Sequence, residues 1–285
     1  MEEIAYAKVN LALHVRGRQA DGYHRIETLF AFCEDGDRLA AAPADTLSLR
    51  VEGPFARALA GEGDNLVLRA ARLLADASGV PAGAGLTLEK TLPVASGIGG
   101  GSADAAAALR LLNRLWRLRA CEADLLPVAR RLGADVPACL LSRTARGEGR
   151  GDLLSEAGLP DLAGVSTLLV NPGVEVSTAD VFRRWDGRDG GPVPPAFAEA
   201  RNDLEAPARA VAPVIGEVIE ALRAAGGATL VRMSGSGATC FGLYRTEGDR
   251  CRAAAAIAAR HPGWWRLESR FRAPPVPERN APTRR

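Results

Sequence analysis

The chain has 285 residues, 47% hydrophobic and 25% charged, a composition typical of globular proteins, and its length favours two domains. Its formal net charge of +2 is too small to favour a nucleic-acid or membrane partner, and no apolar run is long enough to span a bilayer. The N-terminus MEEIAYAKVN begins acidic and lacks the basic and apolar regions of a signal peptide, so we expect a cytoplasmic protein.

The first half of the chain mixes extended segments and helices. Its predicted elements are a strand over residues 4–16, a turn at ADGYH, an extended segment RIETLFAF, a strand DTLSLRVEG, a helix in DNLVLRAARLLADASG, a strand AGLTLEKTLP, and helices over 102–118 and 122–132. Asp64 or Asn65 is the expected N-cap of the first helix, which Gly79 ends, and Gly133 ends the third. A Gly/Arg-rich turn region, TARGEGRGDLL, precedes a domain boundary that we predict after residue 154.

The second half mixes the same two kinds of element. Its predicted elements are a strand VSTLLVNPG, a short helix over 178–185, a loop over 186–196, a long helix over 206–225, a strand ATLVRM, a loop SGSGA, a strand TCFGLY, a helix over 248–260 and a strand WWRLESR. The absence of strict strand–helix alternation favours an α+β fold, with domains at 1–154 and 155–272. The Pro/Arg-rich tail at 273–285 is predicted to be disordered.

Cysteine and histidine indicate neither a disulfide framework nor a metal site. The five cysteines are scattered, no pair has C-x-x-C spacing, and the three histidines lack metal-ligand spacing. Lysine usage is more informative, because the 36 basic residues include only two lysines, Lys8 and Lys90. A lysine retained in so arginine-rich a chain is a candidate for a role that requires a compact ammonium, although both could be accidental survivors.

The segment PVASGIGGGSADAAAAL, from Pro93 to Leu109, is the strongest local motif. Gly-rich loops that open a helix bind anions, because backbone N–H groups and the positive end of the helix dipole converge there. The dinucleotide pattern fails because Ser102 stands where its third Gly is needed, and the P-loop pattern fails because no Lys follows the glycines. We therefore predict a polyphosphate site, in which Ser102 caps the helix or reaches a phosphate or a magnesium ion. The alternative is a flexible turn with a Ser N-cap.

Three motifs together resemble those of the GHMP kinases, the superfamily named for galactokinase, homoserine kinase, mevalonate kinase and phosphomevalonate kinase. The glycine loop matches the second motif, AKVNLAL at residues 7–13 the first, and MSGSGATCF at 233–241 the third. The segments DGYHRIETLF, GDNLVLRAARLL, LGADVPACL, NPGVEVSTADVF and RNDLE resemble the branch whose acceptor is a cytidine-diphosphate methylerythritol. The resemblance implies a two-domain GHMP kinase fold, with a ribosomal-S5-domain-2-like N-terminal domain and a ferredoxin-like C-terminal α/β sandwich.

The resemblance also implies an activity, the ATP-dependent phosphorylation of the polyol 2-hydroxyl on the methylerythritol phosphate route to isoprenoid precursors. Lys8 and Asp135 are the implied catalytic pair, with Asp135 as the base and Lys8 stabilising the emerging alkoxide. The residue pattern alone favours an ordinary N-cap at Asp135, and the alternative for Lys8 is a solvated strand lysine. The implied cofactors are ATP and Mg²⁺, whose protein ligands the sequence does not indicate.

The resemblance implies two sets of binding residues. The expected ATP contacts are Val94, Ala95, Ser96, Gly97, Ile98, Gly99, Gly100, Gly101, Ser102, Ala103 and Asp104, with Asn65 and Lys90 towards the adenine. The expected substrate contacts are Tyr23 and Phe182 around the cytosine, His24 at its edge, Asn10 at the polyol, and Gly235 and Gly237 in the third motif. Lys90 could instead lie on a strand face. The family often has Ser-Ser-Asn where this chain has residues 102–104 as Ser-Ala-Asp, which adds a carboxylate near the phosphates.

Two rival functions can be weighed against this one. A GHMP kinase for another alcohol is disfavoured by DGYH together with Phe182, and a non-catalytic nucleotide-binding protein is disfavoured by Lys8 and Asp135. We expect a small-molecule substrate, no nucleic-acid or membrane partner, and a monomer or homodimer.

Overall fold

The computed structural model describes residues 1–59, 65–157 and 162–273, and within them it contains ten strands and eight α-helices. The strands are β1 (Glu2–Arg18), β2 (His24–Ala42), β3 (Leu47–Glu52), β4 (Ala84–Glu89), β5 (Ala145–Glu148), β6 (Leu153–Glu156), β7 (Ser166–Asn171), β8 (Ala228–Met233), β9 (Cys240–Tyr244) and β10 (Trp265–Arg270). The helices are α1 (Leu66–Ser78), α2 (Gly100–Leu115), α3 (Glu122–Leu132), α4 (Val136–Leu141), α5 (Thr178–Arg183), α6 (Glu205–Val211), α7 (Val214–Ala224) and α8 (Glu247–Arg260).

The first sheet is built on two long antiparallel strands, β1 and β2. Strands β4 and β5 flank β2, while β3 joins β4 in parallel and β6 joins β5 in antiparallel. The register of β1 on β2 shifts immediately before Lys8 and again immediately after Asn10. Such irregularities re-aim side chains, and here they bracket the two polar residues that β1 brings to the candidate site.

Alternate residues of β2 face two different layers, as the two-residue period of a strand requires. Phe30 and Phe32 pack with helices α1 to α4 in one core, whereas Ala31 and Cys33 face the second sheet. Helix α2 lies closely on the first sheet because its residues 105–108 are four alanines, each fully buried.

The second sheet has the antiparallel order β10-β7-β9-β8. Helices α7 and α8 cover one of its faces, and its other face packs on the first sheet. The layers are thus helices, sheet, sheet, helices, which confirms the α+β prediction. A parallel bridge between Leu13 and Asn202 and an antiparallel bridge between Cys33 and Phe271 also join the two halves.

The sequence located most elements correctly, including the N-cap Asn65 of α1 and its left-handed stop at Gly79. Asp64 lies outside the described residues. The single helix predicted over 206–225 is wrong, because Ala212 is extended and the chain breaks between α6 and α7. Pro213 explains the break, since a proline lacks an N–H and disfavours helical backbone in the residue before it.

Two further boundaries differ from the prediction. Helix α2 begins at Gly100 rather than Ser102, and its N-cap is Gly99 in the left-handed region. The TARGEGRGDLL segment, predicted as a turn region, forms the hairpin of β5 and β6. The predicted domain boundary after residue 154 falls within β6, and the division into two domains stays a prediction. Among the described residues, no helix combines the length and apolarity needed to cross a membrane.

Candidate active site

The glycine loop connects β4 to α2 and is held from two sides by backbone hydrogen bonds. The Lys8 N–H in β1 donates to the Ile98 carbonyl at 3.0 Å, and the Thr239 N–H donates to the Ser96 carbonyl at 3.1 Å. The first and third motifs, which lie far apart in sequence, therefore both fix the position of the second.

Ser234 forms a third link among these motifs. Its hydroxyl accepts from the Asn10 N–H at 3.0 Å and donates to the Gly97 carbonyl at 3.0 Å. Gly97 has a φ of 78°, and a Cβ at this position would lie 2.5 Å from the Ser234 carbonyl oxygen. Only glycine accommodates both the backbone conformation and this close approach.

A cavity of about 1170 Å³ opens beside the loop. The predicted site residues that line it are Lys8, Asn10, Tyr23, His24, Ala95, Ser96, Gly97, Gly99, Gly100, Gly101, Ser102, Asp135, Phe182 and Gly235. The predicted residues that do not line it are Asn65, Lys90, Val94, Ile98, Ala103, Asp104 and Gly237. The structure thus brings the predicted catalytic pair, most of the loop and the predicted aromatic side chains to one cavity.

Lys8 and Asp135 are in direct contact on the cavity wall. Lys8 Nζ lies 2.8 Å from Asp135 Oδ2, and the two side chains are 4% and 36% exposed, respectively. Asp135 is the N-cap of α4, yet its side chain makes no capping hydrogen bond. A Cβ at Gly99 would lie 3.2 Å from Lys8 Cε, so the glycine loop packs directly on the lysine stem. The arrangement sets a carboxylate and an ammonium beside the predicted phosphate site.

Asn10 lines the cavity, and its side-chain amide is held from beneath. Its Nδ2 donates to the Thr28 hydroxyl at 2.8 Å, and that hydroxyl donates to the Ala12 carbonyl at 2.7 Å. Among the described residues the buried Asn10 Oδ1 has no hydrogen-bond partner. An unpaired buried carbonyl oxygen of this kind is costly.

An aromatic cluster also lines the cavity. The His24 ring stacks on Phe182 with centroids 4.7 Å apart, and Trp185 meets His24 edge-on at 5.6 Å. Burial, reinforced by the positive charge of Arg18, lowers the pKa of His24 below its usual range. His24 is therefore a neutral imidazole at pH 7, with one nitrogen donating and the other accepting.

Tyr23 forms the exposed rim of this aromatic cluster. Its side chain is 55% exposed, and the Arg150 guanidinium lies 3.7 Å from its ring centroid. Arg150 also donates to Asp21 at 2.7 Å. One face of Tyr23 is therefore covered by a cation, and this cation also lines the cavity.

Lys90 and Asp104 lie elsewhere than the sequence suggested. Lys90 is 1% exposed, and its Nζ lies 2.5 Å from Asp37 Oδ2 and 2.6 Å from Asp104 Oδ2. Both expected side-chain contacts with ATP are therefore corrected, because these charges pair with each other beneath the loop and do not line the cavity. Sequence reasoning missed the cause, since Asp37 is 53 residues before Lys90 in the chain.

Three other expectations also change. Ser102 is the third residue of α2 rather than its cap, and it lines the cavity. The Asn65 side chain accepts from the Val67 N–H, so its oxygen caps α1, and its neighbour Leu66 lines the cavity in its place. A Cβ at Gly237 would lie 2.9 Å from the Met233 sulfur, so Gly237 serves packing within the third motif.

Several lining residues were not singled out from the sequence. They are Arg18, Arg150, Thr178, Arg183, Trp185 and Ser236. A usable signal existed for Trp185, which follows Phe182 by three residues at the end of a predicted helix. The arginines gave none, because arginine is common throughout this chain.

The described residues include no group of three or more His, Cys, Asp or Glu that could hold a metal ion. All five cysteines are free; Cys33, Cys139 and Cys240 are buried, whereas Cys121 and Cys251 are exposed.

Two family models, both of the GHMP kinases, match separate parts of this chain. Residues 65–143 match the family model described as the GHMP kinases N terminal domain. Residues 194–263 match the model described as GHMP kinases C terminal. The first match includes the glycine loop and Asp135, and the second includes the third motif.

Similar proteins extend over nearly the whole chain. A 4-diphosphocytidyl-2-C-methyl-D-erythritol kinase from Rhizorhabdus wittichii is 56% identical over 277 residues, covering 95% of this chain and 94% of that protein. A protein with the same name from Parvibaculum lavamentivorans is 52% identical over 278 residues, covering 92% and 95%.

Solved structures agree with this assignment. A crystal structure of 4-(cytidine 5'-diphospho)-2C-methyl-D-erythritol kinase matches with a TM-score of 0.81 and 38% identity, over 96% of this chain and 100% of that chain. Homoserine kinase from Cytophaga hutchinsonii matches with a TM-score of 0.71 over 95% and 94%, but at 19% identity it shares the fold alone. This chain is a small-molecule kinase and belongs to the 4-diphosphocytidyl-2-C-methyl-D-erythritol kinase family of the GHMP kinases.

Proposed function

We propose that this protein transfers the γ-phosphoryl group of ATP to the 2-hydroxyl of 4-diphosphocytidyl-2-C-methyl-D-erythritol, a step on the methylerythritol phosphate route to isoprenoid precursors. The observation that carries the proposal is the 2.8 Å contact between Lys8 and Asp135. This pair lies in one cavity with the glycine loop and an aromatic cluster suited to a nucleobase. The names of the similar proteins supply the identity of the acceptor.

The glycine loop holds the ATP phosphates in this proposal. Gly99, Gly100, Gly101 and Ser102 line the cavity at the N-terminus of α2, where helix N–H groups lack intrahelical partners. The positive end of the helix dipole favours the phosphate charge at this point. The Ser102 hydroxyl, in the first turn, adds a side-chain donor to the same site.

Asp135 acts as the general base. It takes the proton of the acceptor hydroxyl as the oxygen bonds to the γ-phosphorus, and the bond from that phosphorus to the bridging oxygen of ADP breaks. The Lys8 ammonium beside it stabilises negative charge on the attacking oxygen. Asn10, which lines the cavity beside Lys8, orients the polyol.

The aromatic cluster selects the base of the acceptor. Stacking on Tyr23 and Phe182 contributes affinity but does not discriminate between bases, because every base has a π-face. His24 supplies the discrimination, since its neutral ring can donate to or accept from the edge of cytosine. Arg150 and Arg183 add positive charge on the same wall of the cavity for the diphosphate.

Magnesium enters with the nucleotide in this proposal. The described residues provide no cluster of carboxylates for a dedicated site, and Mg²⁺ is commonly bound through substrate phosphates with few protein ligands. When bound, the magnesium ion would neutralise phosphate charge. Proton transfer and orientation of the acceptor belong to the protein's own side chains.

A panel of acceptors tests the proposal. ATP consumption is measured with 4-diphosphocytidyl-2-C-methyl-D-erythritol, mevalonate, homoserine and galactose, with Asp135→Asn as the matched inactive control. We expect turnover with the cytidine-linked acceptor alone. Turnover with another alcohol alone would show that the proposed acceptor is wrong, although the protein would still be a kinase. ATP binding without turnover on any acceptor would support a non-catalytic nucleotide-binding protein.

A further inference from the structure

Beneath the glycine loop lies a buried charged cluster that the proposed mechanism does not use. Asp37, Lys90 and Asp104 have side chains that are 0%, 1% and 3% exposed. Lys90 Nζ lies 2.5 Å from Asp37 Oδ2 and 2.6 Å from Asp104 Oδ2. Burying three ionisable groups is expensive, and a hydrophobic cluster of similar volume is often as stable, so stability alone does not explain why they are here.

Asp37 holds the start of the loop. Its Oδ1 accepts from the Thr91 N–H at 2.6 Å and from the Leu92 N–H at 2.8 Å, while its Oδ2 accepts from Lys90. One carboxylate on β2 therefore fixes three consecutive residues where the chain leaves β4 and enters the loop.

Asp104 fixes the other end of the loop. It is the fifth residue of α2, and a Cβ at Gly100 would lie 3.1 Å from Lys90 Nζ. The ammonium therefore lies directly against the first turn of α2. The two ends of the loop, at Leu92 and Gly100, therefore lie close together, and the Lys90 side chain connects them.

We propose that Asp37, Lys90 and Asp104 form a positioning cluster that sets the separation between the two ends of the glycine loop, and so the geometry of the N–H groups that bind the ATP phosphates. The inference rests on the proposed function, in which ATP occupies this loop. It also gives Lys90 a reason to remain a lysine in an arginine-rich chain. A compact ammonium fits against Gly100, whereas the wider guanidinium does not.

The test is calorimetric titration of the purified full-length protein with ATP and magnesium chloride, without acceptor. Asp104→Ala suits the alanine-rich helix α2 and removes one tie. We expect its Kd for ATP to rise about tenfold. In Asp104→Asn, whose amide oxygen can still accept from Lys90, the rise should be smaller. Lys90→Arg should weaken ATP binding in the same direction, and it provides an independent measurement should Asp104→Ala fail to fold.

Glu3→Ala is the matched control, because Glu3 forms ion pairs with Arg110 and Arg114 farther along the same helix. It should leave the Kd for ATP unchanged. A fall in melting temperature with wild-type ATP affinity in Asp104→Ala and Lys90→Arg would overturn the inference and make the cluster merely structural. The titration contains no acceptor, so it tests the positioning cluster even if the proposed acceptor is wrong. If the wild-type protein does not bind ATP, both the proposed function and the positioning cluster are wrong.

Discussion

The carboxylate of Asp135 stands where a helix N-cap is expected, but it pairs with Lys8 instead of capping. Asp135→Asn keeps the size of the side chain and removes its basicity. We expect kcat to fall between about 10²- and 10⁴-fold, the range typical of a lost general base. The affinity for ATP and the melting temperature should stay at wild-type values. Wild-type turnover in this variant would exclude Asp135 as the base.

The stem of Lys8 leaves little space for a larger head group. The residue is 3% exposed, and the backbone at Gly99 packs on its Cβ, Cδ and Cε atoms. Lys8→Arg preserves charge but widens the group, so we expect kcat to fall about 10²-fold, comparable to the loss of one preorganised donor. Steady-state kinetics and a thermal melt would separate this effect from misfolding. Full activity would contradict the requirement for a compact ammonium.

His24 lies against Phe182 and Trp185 on the lining of the cavity. His24→Ala should raise the Kd for cytidine diphosphate about tenfold, roughly the contribution of one hydrogen bond, and leave the Kd for ATP unchanged. His261→Ala is the matched control, because His261 also stacks on an aromatic ring, that of Trp264, outside the cavity. Equal losses for both nucleotides would show that His24 supports the fold rather than the base.

Single residues mark the limit of what the sequence could predict. Lys8, Asp135 and His24 were singled out because they belong to motifs that resemble those of the family, and all three line one cavity. Lys90 was placed wrongly because its environment depends on Asp37, a partner on another strand that no local pattern identifies. The burial of Lys90 follows from tertiary packing. The glycine loop, by contrast, can be predicted from the sequence, because its backbone conformation requires glycine.

Among the elements, helix α2 carries a carboxyl group whose protonation is linked to folding. Burial raises the pKa of Asp104 to about 7; Lys90 opposes this rise, and the Asp37 carboxylate adds to it. An unfolded Asp titrates near pH 4, so between about pH 4 and 7 the folded chain holds a proton that the unfolded chain has released. The contribution of Asp104 to the free energy of unfolding therefore falls as pH rises through this window.

Asp104→Asn removes this dependence. The unfolding free energy of the variant, relative to wild type, should rise with pH by up to about 1.4 kcal/mol per pH unit, the limit for a single proton. Urea titrations at several values between about pH 4 and 8 measure the difference. Parallel curves for the two proteins would show that Asp104 does not titrate in this range.

Element boundaries show why helices were harder to delimit than to find. Periodicity predicted one continuous helix over residues 206–225, because it could not weigh Pro213 against the apolar pattern on either side. The start of α2 was placed at Ser102 because serine is a favoured cap, whereas Gly99 takes this position with a left-handed backbone. Strands were also missed, since the β5–β6 hairpin lies in a segment predicted as a turn region.

At the scale of the whole molecule, the candidate site exists only where the two sheets meet. The first sheet supplies Lys8 and Asn10, and the strands of the second supply the loop that contains Ser234 and Gly235. The sequence could predict that three motifs converge, because the resemblance places them around one nucleotide. It could not predict the hydrogen bonds between them, which depend on how the layers pack.

Because the Ser234 hydroxyl bonds both to Asn10 and to the glycine loop, we expect activity to be lost as soon as the two sheets separate. It joins Asn10 to Gly97 across 224 and 137 residues of chain, so a small separation of the layers would break these bonds while each sheet kept its own strand pairing. On heating, enzyme inactivation should therefore precede the loss of far-ultraviolet circular dichroism, and Ser234→Ala should widen the interval between them. If activity and circular dichroism were lost at the same temperature in both the wild type and Ser234→Ala, the contact between the sheets and the sheets themselves would unfold as one unit.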